Sequence, residues 1–261
     1  MTQKAIFITG GASGIGLATA HLFAKRGWRV GLADVNDAAL AAAGTEIGAN
    51  TYRMDVRDRD GWTAALEDFT GSTGGRLDVL FNNAGIGSGG PLAEMDFAEI
   101  DRVVAINLTG VLNGARLGHA YLKRTPGSCL LNTASASAIY GSAGLAPYSA
   151  TKFGVRALTE ALDGEWHADG IKVRAIVPGF IDTPLLQGPV TGSNRSIRET
   201  VTAAGLELTS ADVVAEAAWQ AVHGERLHTH VGPTARRLAF AARWMPGRLR
   251  KMMRRGFGAE K

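Results

Sequence analysis

Apolar and polar positions along the chain alternate between two rhythms. Residues 4–9 form a strand-length apolar run. Residues 14–26 then place Ile15, Ala18, Leu22 and Phe23 on one helical face, closed by Gly27. The same exchange recurs down the chain. Strands are predicted over 28–33 (closed by Asp34), 51–54, 77–81, 128–132, 172–177 and, weakly, 228–231. Helices are predicted over 37–47, 59–69, 149–168 and 207–224, with a long helical region over 96–123. Strand–helix alternation of this kind predicts an α/β fold. It would be one doubly wound domain, with a parallel sheet of about seven strands, helices on both faces and a ligand at the strands' carboxyl ends.

Composition changes this picture little. The 261 residues are 46% hydrophobic and 20% charged, enough for a sizeable core and against wholesale disorder. No apolar stretch reaches the roughly 18 residues of a membrane span. The run Met1–Lys4 does not read as a secretory leader, so a cytoplasmic protein is the expectation. Cys129 is the single cysteine and lies in an apolar run, where a buried small hydrophobe is a better reading than a catalytic thiol.

Charge does change it. The net charge is +4, yet residues 236–261 carry nine Lys/Arg against one Glu, so the rest of the chain is mildly acidic. That argues against nucleic-acid binding by the whole protein. Residues 1–235 read as the folded domain and 236–261 as a basic amphipathic extension that Pro246 breaks into two short helices. Its apolar residues suggest first packing over the body or against another subunit, second a lid, and third attachment to anionic lipid.

Candidate chemistry begins at Thr9-Gly10-Gly11-Ala12-Ser13-Gly14-Ile15-Gly16, between the first strand and the first helix. Glycines permit a tight turn and close approach of a pyrophosphate, and the helix start offers free N–H groups and a positive dipole end. Asp34 ends the second strand. A carboxylate there can accept from ribose hydroxyls and would repel a 2′-phosphate, and neither Ser13 nor Val35 is basic. Both points favour NAD over NADP. Tyr148 and Lys152 are spaced i, i+4 and share a helix face, so an ammonium can favour the phenolate of a general acid/base.

The glycine spacing, together with Asn82-Asn83-Ala84-Gly85, Asn107, Ser135, Tyr148-Ser-Ala-Thr-Lys152 and Pro178-Gly179, in that order, resembles the short-chain dehydrogenase/reductase family over about 4–231. The resemblance implies a Rossmann-type domain and an NAD(H)-dependent oxidoreductase that interconverts a secondary alcohol and a ketone. It implies Tyr148 as acid/base, Lys152 lowering its pKa and binding the cofactor ribose, Ser135 orienting the substrate oxygen, and Asn107 supporting a proton relay. Gly10, Ser13, Gly14, Ile15, Gly16 and Asp34 would contact the cofactor, with Asp55 and Val56 by the adenine. Asn83, Ala84 and Gly85 would lie under the adenosine side, and Pro178, Gly179, Ile181 and Thr183 near the nicotinamide. A homotetramer or homodimer is implied through the helices around 97–123 and 149–168.

The substrate region, about 184–208, offers Leu185, Leu186, Val190, Ile197, Val201 and Leu206, which suggest a lipophilic small molecule. Arg195 and Arg198 either bind an acidic group or face water. The rival readings are an NADP-linked carbonyl reductase and a non-catalytic NAD-binding regulator. His228-x-His230 suits one face of a strand but lacks accompanying ligands, so no metal is expected; His119 and His167 read as helix-surface residues.

Overall fold

The computed structural model describes residues 3–187, 196–203 and 205–254. Among these residues seven strands form one parallel sheet: β1 (Ala5–Thr9), β2 (Arg29–Asp34), β3 (Asn50–Arg53), β4 (Val79–Asn82), β5 (Cys129–Thr133), β6 (Lys172–Pro178) and β7 (His228–Val231). Their order is β3-β2-β1-β4-β5-β6-β7. Strand order reverses between β1 and β4, and a crevice opens there at the carboxyl ends.

Strand periodicity explains the two-sided core. Along β1, Ile6 and Ile8 join Phe23, Leu32 and Val214 on one face, while Ala5 and Phe7 join Trp62, Phe69 and Leu80 on the other. Helices α1 (Gly14–Lys25), α2 (Asp37–Ile47) and α8 (Ala211–His223) cover the first face. Helices α3 (Arg59–Ser72), α5 (Gly110–Lys123) and α6 (Ala146–Glu165) cover the second. Cys129 is fully buried and its thiol is pushed up to about 12 by desolvation, which leaves it a packing residue.

Several boundaries differ from those read along the chain. Helix α6 starts at Ala146, three residues before the predicted start, because Pro147 fits the first turn, where its missing N–H has no partner to lose. Helix α8 starts at Ala211 rather than 207. The helical region over 96–123 divides into α4 (Phe97–Val104), a π turn over Ala105–Thr109 and α5. Helix α7 (Ile197–Ala203) stands in the substrate region, where no element was predicted. Val190, Arg195 and the rest of 188–195 lie outside the described residues.

The C-terminal extension forms α9 (Gly232–Trp244) and α10 (Pro246–Met253), separated at Pro246. Helix α9 begins four residues ahead of the extension read from the sequence and grows straight out of β7. Ala235 and Leu249 pack inward. His119 differs from the surface reading: it is part-buried, sits 2.8 Å from Asp169 and meets the Trp166 ring at 4.7 Å. His167 is exposed. No helix among the described residues is long and apolar enough to cross a membrane.

Candidate active site

The turn after β1 is clamped onto the turn after β4. Thr9 Oγ1 accepts from the backbone N–H of Asn83 (3.0 Å) and Ala84 (3.1 Å), and Asn83 Nδ2 donates to the Thr9 carbonyl at 3.1 Å. The Asn83 side-chain oxygen accepts from Thr133 Oγ1 at 3.1 Å, which adds β5 to the clamp. Gly10 holds a positive φ of 64°, and a Cβ there would stand 2.9 Å from the Ala84 Cα, so the two turns approach this closely only with glycine.

Beyond the turn, Ser13 precedes α1 in extended conformation. Its side chain makes no capping bond, and the first turn of α1 carries no acid. The N–H groups and positive dipole end therefore meet the crevice uncompensated by a carboxylate. At the end of β2, the Asp34 carboxylate accepts from the backbone N–H of Ala12 (3.1 Å) and Asn36 (3.0 Å), which fixes its orientation. Asp55 holds Arg57 at 2.6 Å, and this guanidinium keeps the carboxyl below the usual range. The Val56 carbonyl accepts from Trp62 Nε1 at 3.0 Å and Asn113 Nδ2 at 3.1 Å, anchoring that loop to α3 and α5.

The opposite wall comes from β5 and α6. Ser135 follows β5, and its Oγ accepts from the Ser137 N–H at 3.1 Å. Tyr148 lies in the first turn of α6, with Lys152 one turn later. Burial pushes the Tyr148 phenol above its ordinary range, and a hydrogen bond from Ser135 acts against that rise. Lys152 is buried. Its Nζ donates to the Thr133 carbonyl at 2.9 Å and lies 5.7 Å from the centre of the Tyr148 ring. Desolvation brings its ammonium down to about 8.

Asn107 stands behind this wall. It is fully buried in the π turn, its Oδ1 accepts from the Ile86 N–H at 2.8 Å, and its Nδ2 donates to the Ile86 carbonyl at 2.9 Å. It thereby pins the segment leaving β4. The residue between them is small for a reason: a Cβ on Gly85 would meet Asn107 Oδ1 at 3.2 Å and Lys152 Nζ at 3.7 Å. From β6, the Gly179 N–H bonds the Val231 carbonyl at 3.0 Å, and Thr183 leans over the glycine turn, 3.1 Å from where a Gly14 Cβ would stand.

These walls enclose a cleft of about 560 Å³, within the usual range for small-molecule sites. Gly10, Ser13, Gly14, Ile15, Asp34, Asp55, Val56, Asn83, Ala84 and Gly85 line it, as do Ser135, Tyr148, Lys152, Pro178, Gly179, Ile181 and Thr183. Two of the sequence candidates do not. Asn107 is one; the other is Gly16, inside α1, where an added Cβ would fall 2.1 Å from the Gly10 carbonyl oxygen. Gly16 lets the helix press onto the turn.

The lining includes residues the sequence reading missed. Ile86, directly after the Asn-Asn-Ala-Gly run, was reachable from its position. Leu145, Phe180 and Arg102 carried no local signal, since separate elements bring them together. Ile86, Leu145 and Phe180, with Leu185, Leu186 and Ile197, give the lining an apolar share, and Arg102 adds a cation to it. Arg198 is not offered to the cleft as a free cation, because it forms an ion pair with Asp182. His228 lies 3.4 Å from Glu160, and no group of three or more His, Cys, Asp or Glu among the described residues is placed to hold a metal.

Sheet order, glycine turn and cleft define a doubly wound Rossmann-type α/β protein with a cleft at the strand switch point. Similarity to known proteins narrows this class. The short chain dehydrogenase family model matches residues 4–193. The cis-4-hydroxycyclohexanecarboxylate dehydrogenase of Sinomonas cyclohexanicum is 40% identical over 191 residues, covering 71% of this chain and 76% of that protein. The cyclopentanol dehydrogenase of a Comamonas strain is 33% identical over 192 residues, covering 72% and 76%. A short chain dehydrogenase/reductase of Burkholderia phymatum, solved in complex with NAD, superposes with a TM-score of 0.83 at 25% identity over 96% of this chain and 95% of that one. The chain belongs to the short-chain dehydrogenase/reductase family and is an oxidoreductase.

Proposed function

We propose that the protein is an NAD(H)-dependent oxidoreductase that interconverts a secondary alcohol and a ketone on a lipophilic, alicyclic substrate. The observation that carries this reading is a single cleft with two chemically different ends. One end holds the glycine turn and Asp34, and the other holds Ser135, Tyr148 and Lys152 beside apolar side chains.

The cradle fits a dinucleotide. The close approach of Gly10 to the Ala84 backbone, the helix start at Ser13 and the fixed Asp34 carboxylate suit a pyrophosphate and an adenosine ribose. Asp34 favours ribose hydroxyls and disfavours a 2′-phosphate. Arg57, the cation beside that end, is engaged by Asp55. Pro178, Gly179, Ile181 and Thr183 would hold the nicotinamide end. Bound nicotinamide supplies the hydride acceptor or donor.

The chain's own residues supply position and a proton. Ser135 donates a hydrogen bond to the substrate oxygen and holds it against Tyr148. The Tyr148 hydroxyl takes the proton from the alcohol during oxidation and returns it during reduction. Lys152 adds positive charge behind the phenolate and a donor to the cofactor ribose. Asn107, by fixing Ile86 and shaping the π turn, positions the floor on which Lys152 rests. The two named relatives act on cyclic alcohols, and the apolar lining from Ile86, Leu145, Phe180, Leu185 and Ile197 suits such a ring.

Assay with NAD or NADP over a panel of alicyclic alcohols and ketones tests this. Turnover should prefer NAD(H), and Tyr148→Phe should abolish it while NADH still binds. A Tyr148→Phe rate within about tenfold of wild type would remove the phenol from the chemistry. The same reading makes the protein a homotetramer or homodimer through α4–α6, whose surfaces leave Phe97, Leu112 and Phe153 exposed. Light scattering of the purified protein measures that directly.

A further inference from the structure

We propose that the outer face of α9 and α10 docks the protein on an anionic membrane surface. Between residues 232 and 254 the chain carries seven Lys/Arg and no Asp or Glu. All seven are exposed, and none makes an ion pair among the described residues.

Packing on the body accounts for only one side of this helix pair. Ala235 is 0% and Leu249 2% exposed, and the first turn of α9 meets the cleft wall, with Thr234 3.3 Å from where a Gly179 Cβ would stand. A second apolar set faces outward: Phe240 is 59%, Trp244 65% and Met252 58% exposed. Arg236, Phe240, Arg243 and Trp244 fall at i, i+4, i+7 and i+8 and share one stripe. The Arg243 guanidinium lies over the Trp244 ring at 5.4 Å.

The charge selects an anionic partner, and the apolar residues select its kind. A phosphodiester backbone needs cations alone, whereas a bilayer surface takes both components: cations at the headgroups, Phe, Trp and Met at the acyl boundary. With no membrane-spanning helix among the described residues, the attachment is peripheral. Each cation held near an anionic leaflet multiplies binding by about five.

The test is sedimentation of the full chain with phosphatidylcholine vesicles, with and without about one third phosphatidylglycerol, at about 50 mM and about 500 mM salt. The protein should pellet with the anionic vesicles at low salt and at least about tenfold less with neutral vesicles or at high salt. The double variants Phe240→Ala/Trp244→Ala and Arg248→Glu/Arg250→Glu should each weaken pelleting about tenfold or more. Their melting temperatures should not change, since these side chains are exposed. The proposal is overturned by no pelleting with anionic vesicles at low salt, or by pelleting that neither variant weakens. Light scattering in which Phe240→Ala/Trp244→Ala lowers the assembly mass would overturn it too, by making the face a subunit contact. So would duplex DNA binding that competes fully with vesicles and ignores Trp244→Ala.

Discussion

The Lys152 ammonium donates a 2.9 Å hydrogen bond to the Thr133 carbonyl at the carboxyl end of β5. This bond helps tie α6 to the sheet and holds a buried cation at the cleft. A single carbonyl does not replace the hydration shell of an ammonium, so the charged form is disfavoured.

A stability measurement reads that cost. The ammonium falls from 10.5 to about 8 on folding, so below pH 8 folding carries a charge-burial penalty of about 3 kcal/mol. A depressed folded-state pKa means that the penalty is relieved as pH rises from 8 towards 10.5. Wild type should therefore gain stability relative to Lys152→Met across that window. Urea unfolding of both proteins at pH 7.5 and about pH 10 checks this; parallel stabilities would show that the lysine is not desolvated.

Ser135 and Tyr148 predict a pH effect on rate. The Ser135 hydrogen bond lowers a phenol that burial raises. Ser135→Ala removes the lowering influence, so the ascending limb of alcohol oxidation, which needs the phenolate, moves to higher pH. The rate near pH 7 should fall about tenfold or more. A pH–rate profile that drops in height without moving would assign Ser135 to substrate contact alone.

Asp34 predicts the cofactor preference. Asp34→Ala removes an acceptor for ribose hydroxyls and the repulsion of a 2′-phosphate. Affinity for NADH should fall about tenfold and the discrimination against NADPH should narrow, as read by fluorescence titration of each. Unchanged selectivity would place the adenosine ribose elsewhere.

Gly85 predicts a packing effect. In Gly85→Ala the new methyl meets Asn107 Oδ1 at 3.2 Å and Lys152 Nζ at 3.7 Å. The Asn107 side chain must give by a few tenths of an ångström against the segment after β4, which should cost about 1–3 kcal/mol and slow turnover more than it weakens NADH binding. Wild-type stability together with wild-type turnover would show that the floor yields freely.

Much of the fold was legible along the chain because its signals are local. Strand and helix periods, Gly27 as a helix stop and Pro246 as a break each act within a few residues. The spacing of Tyr148 and Lys152 was legible for the same reason, although the predicted helix began only at 149; Pro147 let the real one start earlier. What was not legible depended on residues distant in sequence. Asn107 bonds Ile86, His119 found Asp169, and Arg198 found Asp182, across separations of 21, 50 and 16 residues. The packing of Gly16 against the Gly10 carbonyl exists only once the turn has closed on α1.

By itself the sequence determined the alternation of elements, the glycine turn, the carboxylate closing β2 and the tyrosine–lysine pair, because backbone rhythm and neighbour spacing are written in consecutive residues. Only the tertiary structure decided the strand order, the burial that pulls Lys152 down and pushes Tyr148 up, and which side chains share the cleft wall. Those depend on dielectric environment and on contacts between elements far apart in the chain, which exist only once the sheet has closed its core.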